Sequence, residues 1–134
     1  MREFRTAVEA RDGEAFDGLL ADDVTFTSPV AFTPYQGRHI TAAILRGVLG
    51  VFEDFHYVRE INDGADHALL FEAVIGDTVV NGCDFIHVND AGKIDDFMVM
   101  VRPLSAAKAL AAAMGARFES IKEDAVARAR AEAR

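Results

Sequence analysis

Two runs of alternating side chains, separated by a four-residue turn, constrain the fold of this chain more than any other feature. The first run is Val79–Val88, the turn is Asn89–Gly92, and the second run is Lys93–Arg102. Asn, Asp and Gly tolerate the backbone angles of tight turns, and a glycine in the fourth place is typical of a type I turn followed by a bulge. The pattern therefore predicts an antiparallel β-hairpin.

Both faces of this hairpin are predicted to be largely apolar, because side chains alternate with period two along a strand. If Val88 pairs with Lys93, Asp84 lies opposite Phe97 on one face. The other face then carries Cys83, Phe85, His87, Ile94, Met98 and Met100. Asp84 is the one acid placed among apolar neighbours in the middle of a strand. It is therefore the first candidate for a functional side chain.

Hydrophobic periodicity and turn residues predict the remaining elements. The predicted helices are Arg2–Arg11, Glu14–Leu20, Arg38–Phe52 and a long helix after Pro103. The predicted strands before the hairpin are Val24–Ser28, Phe55–Ile61 and His67–Ile75. A Gly76-Asp77 turn would place Leu69 opposite Asp84. This order predicts an α+β domain, with a curved, cone-shaped antiparallel sheet, helices packed in its concavity and a C-terminal helix.

Composition and charge exclude several function classes. The chain has 134 residues, enough for one domain, and a net charge of -8 with no basic cluster, which argues against a nucleic-acid partner. No apolar run approaches the roughly 18 residues of a membrane span, and the N-terminus lacks the apolar core of a signal peptide. The single cysteine excludes an internal disulfide. We therefore expect a cytoplasmic protein.

The concave face is predicted to line a pocket for a small hydrophobic molecule. Its expected wall residues, besides Asp84, are Phe26, Ser28, Phe32, Tyr35, Leu69, Phe71, Phe97 and Val101. Phe32 and Tyr35 come from an irregular loop and would lie at the mouth of the cone. The histidines show no spacing that converges on a metal, so we predict neither a metal site nor a cofactor.

The segments GLLADDVTFTSPV and CDFIHVNDAGKI, a Gly-Arg-His helix start and the order of elements together resemble the nuclear transport factor 2-like superfamily. Within it, the chain is similar to the SnoaL-like and ketosteroid isomerase-like group. The resemblance implies a cystatin-like fold and covers about residues 2–118, so we predict a domain over 1–118 and a charged helical extension over 119–134. This fold carries isomerases, cyclases, hydrolases and binding proteins, so it does not name an activity.

Residue by residue, the resemblance keeps one of three catalytic positions of the ketosteroid isomerases. Their proton-abstracting aspartate precedes a proline, and here that position is Ser28, whose hydroxyl cannot act as a base unaided. Their first-helix tyrosine falls near Thr6. Their protonated aspartic acid matches Asp84. The resemblance therefore argues against ketosteroid isomerase activity itself.

Two functions remain open at this point. The chain is either a binding protein for a small hydrophobic molecule, or an isomerase-, cyclase- or hydrolase-type enzyme that uses Asp84 as a pocket acid on a polycyclic or other apolar substrate. Two alternatives involve no small molecule. Asp84 would then be a structural acid hydrogen-bonded within the protein, or the chain would be a non-catalytic adaptor subunit.

The apolar outer face of the sheet also has two readings. We expect a homodimer in which two such faces pack together on a two-fold axis. The competing reading is that the C-terminal helix folds over that face within one chain.

Overall fold

A six-stranded sheet carries the helices of this chain on one side. The computed structural model describes residues 1–133. The helices are α1 (Arg2–Glu9), α2 (Phe16–Leu19), α3 (Arg38–Val51) and α4 (Leu104–Glu132), with a short 3₁₀ turn over Gly13–Ala15. The strands are β1 (Leu20–Thr27), β2 (Tyr35–Gln36), β3 (Glu53–Asp63), β4 (Asp66–Ile75), β5 (Thr78–Val88) and β6 (Ile94–Arg102).

The sheet is mixed, which corrects the antiparallel sheet expected from the sequence. Its strand order is β2-β1-β6-β5-β4-β3. Strand β1 pairs with β6 in parallel, with Phe26 opposite Phe97. The chain leaves β1, passes through α3 and the β3–β5 meander, and returns with β6 beside β1 in the same direction. The remaining pairs are antiparallel, so the predicted curved α+β architecture is confirmed with this one change.

The register of the central strands follows from two turns. Strands β4 and β5 pair as predicted, with Leu69 opposite Asp84. Strands β5 and β6 are shifted by two residues, so that Asp84 lies opposite Val99 rather than Phe97. A shift of two leaves every side chain on its predicted face. A bulge next to Val88 adds one residue locally, and it turns Ile94 into the core instead of the outer face.

Aromatic side chains form the centre of the core between the sheet and the helices. Phe16, Phe71 and Phe97 are fully buried. The ring of Phe97 lies 5.3 Å from that of Phe4 on α1 and 5.6 Å from that of Phe26 on β1. Helix α1 is amphipathic and is held to the sheet by this apolar contact.

Helix α4 lies antiparallel to α3, and so the reading that it covers the outer sheet face is wrong. Ile121 of α4 packs against Gly47 of α3, where a Cβ would lie 2.8 Å from its terminal methyl group. Arg46 of α3 joins Asp17 at 2.8 Å and Asp124 of α4 at 2.7 Å. The helices of residues 1–133 therefore leave the outer face uncovered.

The open outer face presents several large apolar side chains. Val79, Phe85 and Met100 are 58%, 40% and 54% exposed. They lie on the two central strands, with Cys83 and Met98 half-buried between them. None of the helices in residues 1–133 has the length and hydropathy needed to cross a membrane.

Candidate functional site

A cavity of about 320 Å³ lies between the concave face of the sheet and helices α1, α3 and α4. Its wall is mostly aromatic and aliphatic. The sheet contributes Phe26, Tyr35, Phe55, Tyr57, Phe71, Asp84, Phe97 and Val99, and the helices contribute Phe4, Val8, Phe16, Ile44, Leu45, Val48, Leu49, Leu110, Met114 and Phe118, among others. Three charged side chains also reach the wall: Glu9, Arg11 and Asp84.

Asp84 is the acid buried deepest in this wall. It lies in the middle of β5, between Leu69 and Val99 on the neighbouring strands, and is 7% exposed. Its Oδ2 atom accepts a hydrogen bond from the Tyr57 hydroxyl at 3.2 Å. One partner leaves most of the hydrogen-bonding capacity of the carboxyl group free towards the cavity.

Burial governs the protonation of this pair. Loss of hydration raises the pKa of Asp84 to about 7, and the hydrogen bond from Tyr57 offsets part of that effect. Burial, followed by the nearby Asp84 carboxylate, raises the pKa of Tyr57 well above its usual value. Tyr57 therefore stays a donor, and below about pH 7 Asp84 carries a proton that it can donate to a guest molecule.

Tyr57 is the most important residue that the sequence reasoning missed. It lies on β3 opposite Phe71, its ring meets that of Phe55 edge-on at 5.0 Å, and the Arg5 guanidinium lies 5.3 Å from its centre. Counting back from the turn at Gly64, which pairs Asp63 with Asp66, would place Val58 opposite the predicted pocket residue Phe71. A bulge between Tyr57 and Arg59 shifts the register by one residue and brings Tyr57 there instead, and no turn signal in the sequence marks that bulge.

The structure brings six of the predicted site residues together. Asp84, Phe26, Ser28, Tyr35, Phe71 and Phe97 all lie on the cavity wall. Phe26, Phe71 and Phe97 are almost wholly buried, and the ring of Tyr35 lies 5.9 Å from that of Phe118 on α4.

Three predicted residues lie elsewhere. Leu69 is 0% exposed and is not part of the cavity wall. Val101 is half-buried near the end of β6, outside the cavity. Phe32 is 98% exposed, because the loop between β1 and β2 turns its side chain into solvent.

Ser28 stands where the ketosteroid isomerases carry their proton-abstracting aspartate, and it makes a local hydrogen bond there. Its hydroxyl oxygen accepts a hydrogen bond from the backbone N–H of Val30 at 3.1 Å. This is the local turn contact that serine commonly makes after a strand. The side chain lies on the wall, but this contact does not activate its hydroxyl.

No metal-binding arrangement of three His, Cys, Asp or Glu side chains occurs within residues 1–133. His87 Nδ1 donates a hydrogen bond to the Asp95 carboxylate at 2.6 Å, and this hydrogen bond raises the pKa of His87. This pair lies at the hairpin end of β5 and is not part of the cavity wall.

Comparison with known proteins places this geometry in a family. The model of the SnoaL-like domain matches residues 1–97. A steroid delta-isomerase from Pseudomonas aeruginosa is 41% identical, with 89% of this chain and 88% of that chain covered and a TM-score of 0.86. An uncharacterized protein with a cystatin-like fold from Silicibacter pomeroyi is 36% identical, with 90% and 89% covered and a TM-score of 0.81.

More distant structures share the fold alone. An NTF2-like protein of unknown function from Mesorhizobium loti is 19% identical over 77% of this chain and 88% of its own, with a TM-score of 0.70. No curated protein matches the chain. The resemblance expected from the sequence is confirmed, and the chain belongs to the family of SnoaL-like domains, with the nuclear transport factor 2-like fold.

Proposed function

We propose that this protein binds a small, largely apolar molecule in its cavity and donates a hydrogen bond from Asp84 to an oxygen atom of that molecule. The observation that carries the proposal is a carboxyl group 7% exposed on an apolar wall, with one side-chain partner, Tyr57 at 3.2 Å. A buried carboxyl group without further partners is costly, unless it is neutral and finds an acceptor.

The cavity supports a small guest. Ligand pockets range from about 300 to 1,000 Å³ and combine an apolar lining with a few polar groups that orient the ligand. At about 320 Å³ this cavity lies at the lower end of that range. Its aromatic wall favours flat or polycyclic guests, because rings stack on rings.

A second candidate function is acid catalysis on such a guest. A pKa of about 7 for Asp84 suits proton transfer at neutral pH. The relative from Pseudomonas aeruginosa is described as a steroid delta-isomerase. Ser28 stands where the ketosteroid isomerases carry their base, so a reaction here would use Asp84 as an acid without that base. Binding without catalysis is therefore our first choice.

The proposal is tested with a neutral aromatic ketone, 2-acetonaphthone, and the parent hydrocarbon naphthalene. At pH 6 we expect the wild type to bind the ketone about tenfold more tightly than the hydrocarbon, because a hydrogen bond to a buried acceptor contributes about that factor. Asp84→Leu should abolish this preference, whereas Asp84→Asn should keep most of it. A ketone that binds no better than naphthalene, or a preference that survives in Asp84→Leu, would contradict the proposal.

We also propose that two copies of the chain associate through the outer sheet face. The apolar side chains of Val79, Phe85 and Met100, which are about half exposed, support this arrangement, because apolar patches of this kind are commonly covered by a partner. The proposed place of action is the cytoplasm, on the basis of the single cysteine.

A further inference from the structure

We propose that Arg11 and Arg117 form an anion-binding rim at the mouth of the cavity, so that the preferred ligand is an apolar molecule with a carboxylate at one end. This inference rests on the proposed function and narrows its ligand class.

Arg11 has a backbone conformation that is normally left to glycine. Helix α1 ends in a Schellman motif, in which the N–H of Arg11 bonds to the carbonyl of Val8 and the N–H of Asp12 bonds to that of Ala7. The C′ position of this motif requires a left-handed backbone, and Arg11 has φ 55°. A non-glycine residue there costs roughly 1 kcal/mol. Such strain is characteristic of positions where the side chain is needed.

The Arg11 side chain points to the end of α3, and Arg117 meets it there. The Arg11 guanidinium donates to the carbonyl of Leu49, and that of Arg117 donates to the next carbonyl, Gly50, at 3.3 Å. Gly50 permits this approach, since a Cβ on it would lie 2.8 Å from Arg117 Nη1. Two cations, one just beyond the end of α1 and the other on α4, thus gather at the last turn of α3.

These two cations lack a carboxylate partner. Among the residues that the structure describes, no carboxylate oxygen lies within 4.0 Å of either guanidinium group, whereas Arg5, Arg38, Arg46 and Arg128 all form ion pairs. Glu9 also lies on the cavity wall, but it accepts a hydrogen bond from Arg5 at 3.3 Å. The partial negative charge at a helix C-terminus is about half an elementary charge and offsets only part of two full ones.

The rim therefore carries positive charge in a protein whose net charge is -8. Arg11 lies on the cavity wall and is exposed, and so are the wall residues Val30, Ala111 and Gly115, which mark the mouth. Arg117 is exposed two residues after Gly115 on α4 and lies outside the wall itself. A guanidinium group has five N–H donors, and each of these arginines spends one on a carbonyl. The remaining donors suit the planar, bidentate geometry of a carboxylate.

The test uses the whole protein and two fluorescent probes of the same shape. The first, 6-acetyl-2-naphthoate, has a ketone at one end and a carboxylate at the other, and the second is its neutral carboxamide. At pH 6 the probe carboxylate is ionised. We expect the wild type to bind the carboxylate about tenfold more tightly than the carboxamide, a typical factor for a charge-assisted hydrogen bond. The Arg11→Gln/Arg117→Gln double variant should bind both probes equally.

A matched control removes one positive charge elsewhere. Arg130 is exposed in the same helix as Arg117, about 20 Å further along the helix axis at 1.5 Å per residue. Arg130→Gln should keep the wild-type preference. If Arg11→Gln folds poorly, Arg11→Gly removes the same side chain and suits the left-handed backbone.

Each outcome supports or contradicts the anion-binding rim, the proposed function or both. Equal affinities in the wild type, or a preference that survives in the double variant, would overturn the anion-binding rim and leave the proposed function in place. A double variant that melts earlier but keeps its preference would show that the two arginines only cap α3. Failure of the wild type to bind either probe would overturn the proposed function together with the rim.

Discussion

A carboxyl group in an apolar wall is tolerated only in a suitable protonation state. Asp84 has Leu69 and Val99 as its cross-strand neighbours and Tyr57 as its donor. Its charged form would lose hydration without gaining a cationic partner, and so its pKa rises to about 7. The neutral form keeps one acceptor for Tyr57 and one proton for a guest. This single side chain links the stability of the fold to the chemistry of the cavity.

The contribution of Asp84 to the stability of the wild type should therefore fall as the pH rises. Unfolded Asp84 releases its proton near pH ~3.9, and folded Asp84 near pH 7. Between these values the folded chain binds more protons, so raising the pH favours unfolding, and above about pH 7 the effect is complete. Asp84→Asn lacks this effect. The free energy of unfolding of Asp84→Asn, measured with urea relative to that of the wild type, should therefore increase by on the order of 2–4 kcal/mol from pH 4 to pH 8.

This comparison isolates Asp84 because all other ionisable groups are common to both proteins. A difference in the free energy of unfolding that is the same at pH 4 and pH 8 would mean that Asp84 titrates alike in the folded and unfolded chains. The raised pKa would then be wrong.

Gly82 leaves room for the ring of Phe71, which lies on the cavity wall. A Cβ on Gly82 would lie 2.1 Å from Phe71 Cζ, and Phe71 is stacked on Phe55 at 4.7 Å and fully buried. The ring has no room to retreat, so Gly82→Ala should cost about 1–3 kcal/mol in the free energy of unfolding. Gly115→Ala is the control, since nothing lies within 4 Å of its Cβ and alanine favours the helix by about 1 kcal/mol. If both variants shifted the melting temperature in the same direction, the close contact at Gly82 would be refuted.

The first part of helix α4 lines the cavity, and the second part packs on α3. Leu110, Met114 and Phe118 line the cavity, and Phe118 is the last residue of the helix that does so. Beyond it, Ile121 and Ala125 are buried against α3, and Arg128 pairs with Glu14 through two hydrogen bonds at 2.6 and 2.8 Å. We propose that residues 1–118 form the domain and that residues 119–133 brace it, while the last residue of the predicted extension, 134, lies outside the described residues.

Removal of residues 119–134 should therefore lower stability without removing the cavity. Losing the buried Ile121 alone would cost about 2–4 kcal/mol, and the ion pair of Arg46 with Asp124 is lost as well. The 1–118 fragment should melt several degrees earlier, yet bind 6-acetyl-2-naphthamide with the affinity of the whole chain. Ile121→Ala provides an intermediate point. A folded fragment that no longer binds the probe, or a fragment that does not fold, would contradict the domain boundary.

Turn residues and alternating side chains predicted the helices and strands well. They did not predict which segments, distant in the sequence, lie next to each other. The Gly76-Asp77 turn was enough to pair Leu69 with Asp84, because a two-residue turn leaves one register. The parallel pairing of β1 with β6 has no such local signal, since distant segments meet there. The same holds for the rim, where Arg11 and Arg117 are brought together only by the packing of α1 and α4 around α3. Alternation placed Asp84 on the inner face, but not its partner Tyr57.

The outer face of the sheet exposes apolar side chains, and we expect a second copy of the chain to cover it. Phe85 lies at its centre and is 40% exposed, with Met98 opposite on β6. We expect a dimer at tens of micromolar in sedimentation equilibrium, and Phe85→Lys should dissociate it, because a lysine there would bury an unpaired charge. Phe32→Lys makes the same change at a residue 98% exposed in the loop and should leave the dimer intact. A monomeric wild type at these concentrations would exclude this interface.

We infer that Asp84 is a neutral acid in the cavity below about pH 7. This protonation state is followed at the Asp84 carboxyl carbon by NMR from pH 3 to pH 9, with the resonance assigned by its absence in Asp84→Asn. We expect a midpoint at a pH of about 7. A midpoint at or below the ordinary value near ~3.9 would contradict it, because the cavity would then hold a charged carboxylate with no proton to donate.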